Sequence, residues 1–141
     1  MHITLESDYA VRIVDCLAAH GGRLDAGRIA AGTGVTPRFT LKILRKLTAS
    51  GLVRSYQGAK GGYELARPAG EITLREVIET VEGVYAFSRC VSPEPECRCS
   101  ASCCYRTDCR FQRVYDEISE LVRQKLSEVT FAGAQGKDPK Q

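Results

Sequence analysis

The sequence predicts a mainly α fold carrying a small β-hairpin wing, on three observations. Between residues 25 and 51 a short capped stretch, a glycine turn and a second capped stretch follow one another. Two β-prone runs, 52–56 and 63–66, flank the glycine-rich segment 57–62. Beyond the last of a group of clustered cysteines, apolar residues recur at three- and four-residue steps for roughly twenty residues, the signature of one long amphipathic helix.

Taken in order, Ser7 is placed to cap a first helix that runs to about His20, with Ala10, Ile13, Val14, Leu17 and Ala18 as its apolar stripe. Gly21 and Gly22 stop it. Cys16 lies on that apolar face and reads as core. Asp25 caps a second helix reaching about Thr33, with Ile29 and Ala30 inward, and Gly34 allows a tight turn. Thr36 and Pro37 suit the N-cap and first position of a third helix, which is expected to bury Phe39, Ile43, Leu44 and Leu47 and to end near Gly51. Helix, turn and capped helix, followed at once by a hairpin, give a winged helix-turn-helix outline.

Thr73 and Glu76 form a capping box for a fourth helix whose buried face is Leu74, Val77, Ile78 and Val81, with Gly83 at its end. The cysteine segment follows, broken by Pro93 and Pro95, and reads as a loop. Phe111, Val114, Ile118, Leu121, Val122, Leu126 and Val129 then line the long helix. So small a domain offers it too little to pack against, so it is expected to pair with a second copy. The organisation expected is a DNA-binding domain with its fourth helix over 1–83, a cysteine-rich loop over 84–110, a C-terminal dimerisation helix over 111–131 and a disordered tail over 132–141.

Charge sharpens the outline. Residues 1–70 hold ten Lys/Arg against five Asp/Glu, whereas 71–141 hold ten against twelve. No acidic residue falls between positions 26 and 63, where Arg28, Arg38, Lys42, Arg45, Lys46, Arg54 and Lys60 all lie. A helix-turn-helix turns the start of its second helix toward base edges. That sets Thr36, Arg38, Phe39, Thr40 and Lys42 nearest a duplex, with Phe39 also a candidate for the core. Arg38 is suited to a guanine and Thr36 or Thr40 to a phosphate or a thymine methyl. Arg45, Lys46, Arg54 and Lys60 suit phosphates. Arg28 before the turn, and Ser55, Gln57 and Gly61 of the hairpin, complete the candidate DNA-facing set.

Of seven cysteines, Cys90, Cys97, Cys99, Cys103, Cys104 and Cys109 fall within twenty residues. Residues 1–6 carry neither a charged leader nor an apolar core, and no apolar run approaches the roughly 20 residues of a membrane span. A cytoplasmic chain without membrane contact is therefore expected. In a reducing compartment such a cysteine group points to metal or redox chemistry rather than a disulfide framework.

The segments SDYAVRIVDCLA, RIAAGTGVTPRFTLKILRKLTASGLVRSYQGAKGGYELAR and ITLREVIETVEG, followed by cysteines, resemble the IscR/NsrR/RirA/CymR family of winged-helix regulators over about residues 1–130. The resemblance implies a homodimer on a palindromic DNA operator and, as in many members, an iron–sulfur cluster, [2Fe-2S] or [4Fe-4S], that controls DNA affinity. Cluster-binding members use three loop cysteines, often with five residues between neighbours. Carried over, these are Cys90, Cys103 and Cys109, with Cys97, Cys99 and Cys104 as alternates. Cys97, Cys103 and Cys109 keep the five-residue spacing twice, so the first ligand stays open between Cys90 and Cys97. The stretch between Cys90 and Cys109 is longer than in the better-known members. One class of relatives takes a histidine three residues after the last cysteine as fourth ligand, a position held here by Gln112. Another, resembling the nitric-oxide sensor NsrR, takes an aspartate from the partner's first helix, matched by Asp8. Asp8 equally suits the positive end of its own helix, and a spare loop cysteine is a third option. The wing arginine of the histidine-ligated class is Gln57 here, which leaves Lys60 to act in its place.

Three rivals compete with this reading. A structural zinc or a thiol switch would keep the DNA-binding fold, although the cysteines lack paired C-x-x-C knuckles. A small redox or electron-transfer protein would need a cysteine run or nucleotide loop that is missing, and only His2 and His20 are available as histidine bases, so no enzyme is expected. A DNA-binding module governed by a small ligand would leave six clustered cysteines unexplained.

Overall fold

A computed structural model describes residues 2–94 and 109–133. Among these residues, α1 (Leu5–His20), α2 (Ala26–Thr33), α3 (Pro37–Ala49), β1 (Val53–Tyr56), β2 (Gly62–Leu65), α4 (Leu74–Glu82) and α5 (Arg110–Glu128) follow in order, with one-turn 3-10 helices at Ala69–Glu71 and Arg89–Val91. The chain is a winged helix-turn-helix, as its sequence predicts. Asp25 caps α2 and Thr36 caps α3 through their side chains, while Gly21 and Gly34 end α1 and α2 in the left-handed conformation.

Helix α1 lies at the centre and packs against α2, α3, α4 and β2. Ile13, Val14 and Leu17 meet Ile29, Ile43, Leu44, Leu47, Val53, Ile72 and Val77 in one continuous core. Two expectations need correction. Phe39 is 42% exposed, and the place it was assigned in the core belongs to Thr40, which is fully buried beside Ile43, Leu44 and Leu47. The physical reason is the helical period: positions 40, 43, 44 and 47 share one face, whereas 39 falls on its flank. There Phe39 meets the edge of Tyr9 with ring centroids 5.9 Å apart.

The second correction concerns the start of α1. Its N-cap is Thr4, which accepts from the Ser7 amide at 3.2 Å. Ser7 sits inside the first turn, fully buried, and donates its hydroxyl to Glu82 at the end of α4. The Thr4 amide, at 2.9 Å, and the Thr4 hydroxyl donate to the same Glu82 oxygen. Both residues are chemically able to cap; the tertiary partner decides which one does. Burial pushes the Glu82 carboxyl up, but the Ser7 and Thr4 donors outweigh it and hold it below its ordinary value of 4.5. A lowered folded-state value means stabilisation that is complete above the unfolded value and lost as pH falls through the folded one. Wild-type stability is therefore expected to fall below pH 4.5 by about 1 kcal/mol more than that of Glu82→Gln, the figure kept small because Glu82 is solvent-exposed. Urea midpoints measured across that range check it; parallel profiles would exclude the assignment.

The hairpin pairs Val53 with Leu65, Arg54 with Glu64, Ser55 with Tyr63 and Tyr56 with Gly62. An isolated two-stranded hairpin is marginal in water, and this one is stitched to the α1–α2 turn. The Leu24 amide donates to the Tyr63 carbonyl at 2.9 Å and the Tyr63 amide returns the bond at 2.7 Å.

Both halves of the capping box on α4 are present. Its carboxylate, Glu76, also accepts from Arg67 at 2.7 Å. Burial pushes the Glu76 carboxyl up, and the Thr73 amide and the Arg67 guanidinium bring it below the ordinary range.

The helix expected over 111–131 ends at Glu128. The next three residues leave it because they find partners elsewhere. Val129 accepts from the Leu74 amide at 2.8 Å, Thr130 bridges to Thr73, and Phe131 is buried in the core. Burial of a phenylalanine stabilises by roughly 2 kcal/mol, which fixes this end of α5. Along α5 the single stripe seen in sequence divides. Ser119 is fully buried, and Tyr115 meets the Phe87 ring at 5.3 Å, so that face serves its own domain. Phe111, Val114 and Leu121 stay 54%, 49% and 66% exposed. The tail residues 134–141 lie outside the described residues.

Candidate nucleic-acid interface and cysteine site

The surface of α3 away from the core follows from the same period. With Thr40, Ile43, Leu44 and Leu47 inward, Arg38, Lys42 and Arg45 form the outward row. With Phe39 they line an open groove of about 600 Å³. Arg28, Thr36, Arg54, Ser55, Gln57 and Lys60 are likewise exposed, whereas Gly61 is half-buried in the loop turn. Thr40 is a correction here too: a fully buried side chain offers no surface to a duplex.

The cations of α3 are not equivalent. Glu6, in the first turn of α1, accepts from Lys46 at 2.8 Å and lies 3.2 Å from the Lys42 ammonium. The Lys46 hydrogen bond holds the Glu6 carboxyl below the ordinary range, against burial and with help from Lys42. Lys46, assigned from sequence to a phosphate, thus has an anionic partner inside the chain, and Lys42 shares it. The cations of α3 without an ion pair to Glu6 are Arg38 and Arg45. Sequence reasoning missed Glu6 because it lies forty residues from Lys46 and only the α1–α3 crossing joins them.

At the wing, Gly61 donates its amide to the Gly58 carbonyl at 2.9 Å. A Cβ there would stand 2.6 Å from the Tyr56 carbonyl oxygen and 2.8 Å from that of Gly58, so the turn admits only glycine without shifting. Arg23 stacks over Tyr56 with its guanidinium carbon 3.5 Å from the ring centroid. It donates to the Lys60 carbonyl at 2.9 Å.

The cysteine site begins with a strap. After α4 the chain returns along α5. The Arg123 guanidinium donates to the Tyr85 carbonyl at 3.0 Å and the Phe87 amide to the Ser119 hydroxyl at 2.9 Å. This carries Cys90, in the 3-10 turn Arg89–Val91, to the start of α5, where Cys109 holds the N-cap position. Gln112, the residue standing where one class of relatives has a histidine, donates its side-chain amide to the Cys90 carbonyl at 3.2 Å. Cys90 and Cys109 are both free thiols and half-buried. Beside them Val91, Ser92, Cys109, Gln112, Arg113 and Asp116 line a cleft of about 380 Å³. Cys97, Cys99, Cys103 and Cys104 lie outside the described residues.

Cys109 lines this cleft and Cys90 lies in the turn beside it. Half-buried free thiols with further cysteines in the intervening sequence are donors of the chemical type that holds a metal or cluster. Asp8 is elsewhere, paired with Arg12 at 2.9 Å. Among the described residues no three His, Cys, Asp or Glu side chains gather at metal-binding range, so within one chain Asp8 does not join Cys90 and Cys109. Cys16 packs partly against the core, where burial, and then Asp15, push its thiol up. That suits the core role expected of it. Among the described residues no helix is long and apolar enough to cross a membrane.

A family model described as "Rrf2: Iron-dependent Transcriptional regulator" matches residues 3–134. The chain is 40% identical over 105 residues to protein aau3 of Rhizobium meliloti, covering 73% of this chain and 68% of that protein. Among solved structures, the oxidized form of Staphylococcus aureus CymR is similar at 26% identity with a TM-score of 0.71, over 98% of this chain and 99% of CymR. T. potens IscR shares the fold at 22% identity and a TM-score of 0.71, over 94% of this chain and 84% of IscR.

Proposed function

Because the chain belongs to the Rrf2 family of DNA-binding transcriptional regulators, which are not enzymes, we propose that it is a homodimer whose affinity for a palindromic operator is set by an iron–sulfur cluster. The observation that carries the cluster reading is that Gln112 ties the backbone of the Cys90 turn to the first turn of α5, the helix whose N-cap is Cys109. Cys90 and Cys109 would hold the cluster with Cys103, or with Cys97, Cys99 or Cys104, and the partner's first helix would bring its own copy of Asp8. When bound, the cluster supplies reactivity toward oxidants and nitric oxide and sensitivity to iron supply.

The protein's own residues transmit the state. Asp8 shares the first turn of α1 with Glu6 and Ser7, which hold α3 and the end of α4 respectively. A change at that turn therefore reaches the recognition helix through the Glu6–Lys46 contact and the strap through Glu82. On the DNA side, Arg38 reads a base in the major groove, Thr36 and Arg45 meet phosphate, and Lys60 and the exposed wing meet the flanking backbone.

The test is the visible absorption of full-length protein purified without oxygen, alongside affinity for an operator recovered by selection from random duplexes. Wild type is expected to show iron–sulfide charge-transfer bands, and loss of the cluster is expected to change operator affinity by about five- to 150-fold. Cys109→Ser is expected to lose both the bands and the response. A colourless protein from cells able to build clusters, or an affinity unchanged by cluster removal, would sink the cluster reading and leave DNA binding standing. The second reading, a cysteine-thiol switch, draws on the likeness to the oxidized form of CymR. It predicts a colourless protein whose operator affinity responds to thiol oxidants.

A further inference from the structure

The wing stands on a support that its own sequence does not contain. Its strands are four residues each, and among the described residues they pair only with each other and, through Tyr63, with Leu24. The Leu24–Tyr63 bridge holds the start of β2, where the chain leaves the loop, whereas the loop residues 57–60 before it are exposed. The tip is held by Arg23. Its guanidinium lies over Tyr56, the last residue of β1, and reaches on to the carbonyl of Lys60, thirty-seven residues away in sequence. Tyr56 is itself fixed, its hydroxyl donating to Glu64 on the opposite strand at 2.6 Å. A planar guanidinium can stack on a ring while donating in its own plane to a carbonyl, which an ammonium cannot do with the same geometry.

We propose that Arg23 is a positioning residue of the DNA-reading wing, holding the Lys60 backbone so that its ammonium meets a phosphate at a fixed place. This rests on the reading of the wing as a DNA contact. The carbonyl of Lys60 is committed to Arg23, and its side chain is exposed and turned to solvent. Without Arg23 the loop keeps its turn through Gly58 and Gly61 and its anchor at Tyr63, but the Lys60 backbone loses its own hydrogen bond to the helical body. Lys60 would then sample many positions, and each phosphate contact would carry the entropy of ordering the loop.

The experiment is a double-mutant cycle on full-length protein, measuring affinity for the selected operator and for a shuffled duplex of equal length, with melting temperatures as a control on folding. Arg23→Ala and Lys60→Ala are each expected to weaken binding about fivefold, with the slope of log affinity against log salt reduced by about 1 in each. The double variant is expected to be no weaker than either single one. Arg23→Lys, which keeps the charge, stays as weak as Arg23→Ala. Tyr56→Leu, which removes the platform, reproduces the loss by a second route. Additive losses, or recovery in Arg23→Lys, would make Arg23 an independent cation and overturn the proposal. Wild-type affinity in Arg23→Ala beside a weakened Lys60→Ala overturns the Arg23 assignment alone. Wild-type affinity in Lys60→Ala overturns the wing-tip reading and the proposal with it.

Discussion

Replacing Gly62 with alanine is expected to cost the fold about 3 kcal/mol, among the larger effects of a single methyl group. Gly62 has φ +140°, a conformation that side chains rarely adopt, and it opens β2 opposite Tyr56. An added Cβ would stand 2.6 Å from the Leu24 carbonyl oxygen and 2.8 Å from its carbon. Both are backbone atoms, and both belong to the strand-like bridge that ties the wing to the α1–α2 turn. Relief therefore requires the wing to move away from the body, and the two Leu24–Tyr63 hydrogen bonds go with it. The melting temperature is expected to fall by about 10 °C, and operator binding to weaken further than stability alone accounts for, because the wing is displaced even in folded molecules. Gly58 provides the contrast: its φ is +92°, but a Cβ would meet nothing within 4 Å, so alanine there carries backbone strain only. If Gly62→Ala melts with the wild type, the wing is not docked through Leu24.

The second large effect concerns assembly. Leu121 is 66% exposed on α5, on the side of the helix shared with Val114 and Phe111 and turned away from the face that Ser119 buries. In the proposed dimer this stripe is covered by its equivalent on the partner, and an aspartate at 121 would place two unpaired carboxylates in a desolvated seam. Leu121→Asp is expected to sediment as a monomer with the secondary structure of the wild type, since Leu121 is 66% exposed and outside the core of its own domain. A monomer grips one half-site, so operator affinity is expected to fall by about a hundredfold or more through loss of bivalent binding. Sedimentation velocity paired with operator titration reads both quantities. A wild-type protein that sediments as a monomer, or a Leu121→Asp protein that stays dimeric, would remove α5 from the interface.

Much of this could be read in the sequence because it depends on neighbours along the chain. The caps at Asp25 and Thr36, the Thr73–Glu76 box and the glycine stops after α1 and α2 are local chemistry, settled within four residues. The acid-free stretch 26–63 was legible in the same way, and α3, β1 and the wing loop all fall inside it. Where two local solutions were equally good, sequence chose wrongly. Thr4 and Ser7 can both cap a helix, and Phe39 outranks Thr40 as a core residue by hydrophobicity alone. For the cap a distant partner decided, Glu82 for Ser7, whereas for Phe39 the helical period of α3 did, setting position 40 inward and 39 on the flank beside Tyr9.

The sequence by itself determined the order of the elements, the helix-turn-helix with its wing, the basic face and the concentration of thiols before α5, because caps, periodicity and charge are written residue by residue. Only the tertiary structure decided which cations are free of Glu6, that Arg23 holds the wing tip, that Gln112 brings Cys90 to the start of α5, and that Phe131 returns to the core. Each of those joins positions far apart in the chain, from Cys90 and Gln112, 22 residues apart, to Glu6 and Lys46, 40 apart, and further still for Phe131 and Ala69. Their energy comes from the crossing of packed elements rather than from any local preference, so no short window of sequence carries their signal.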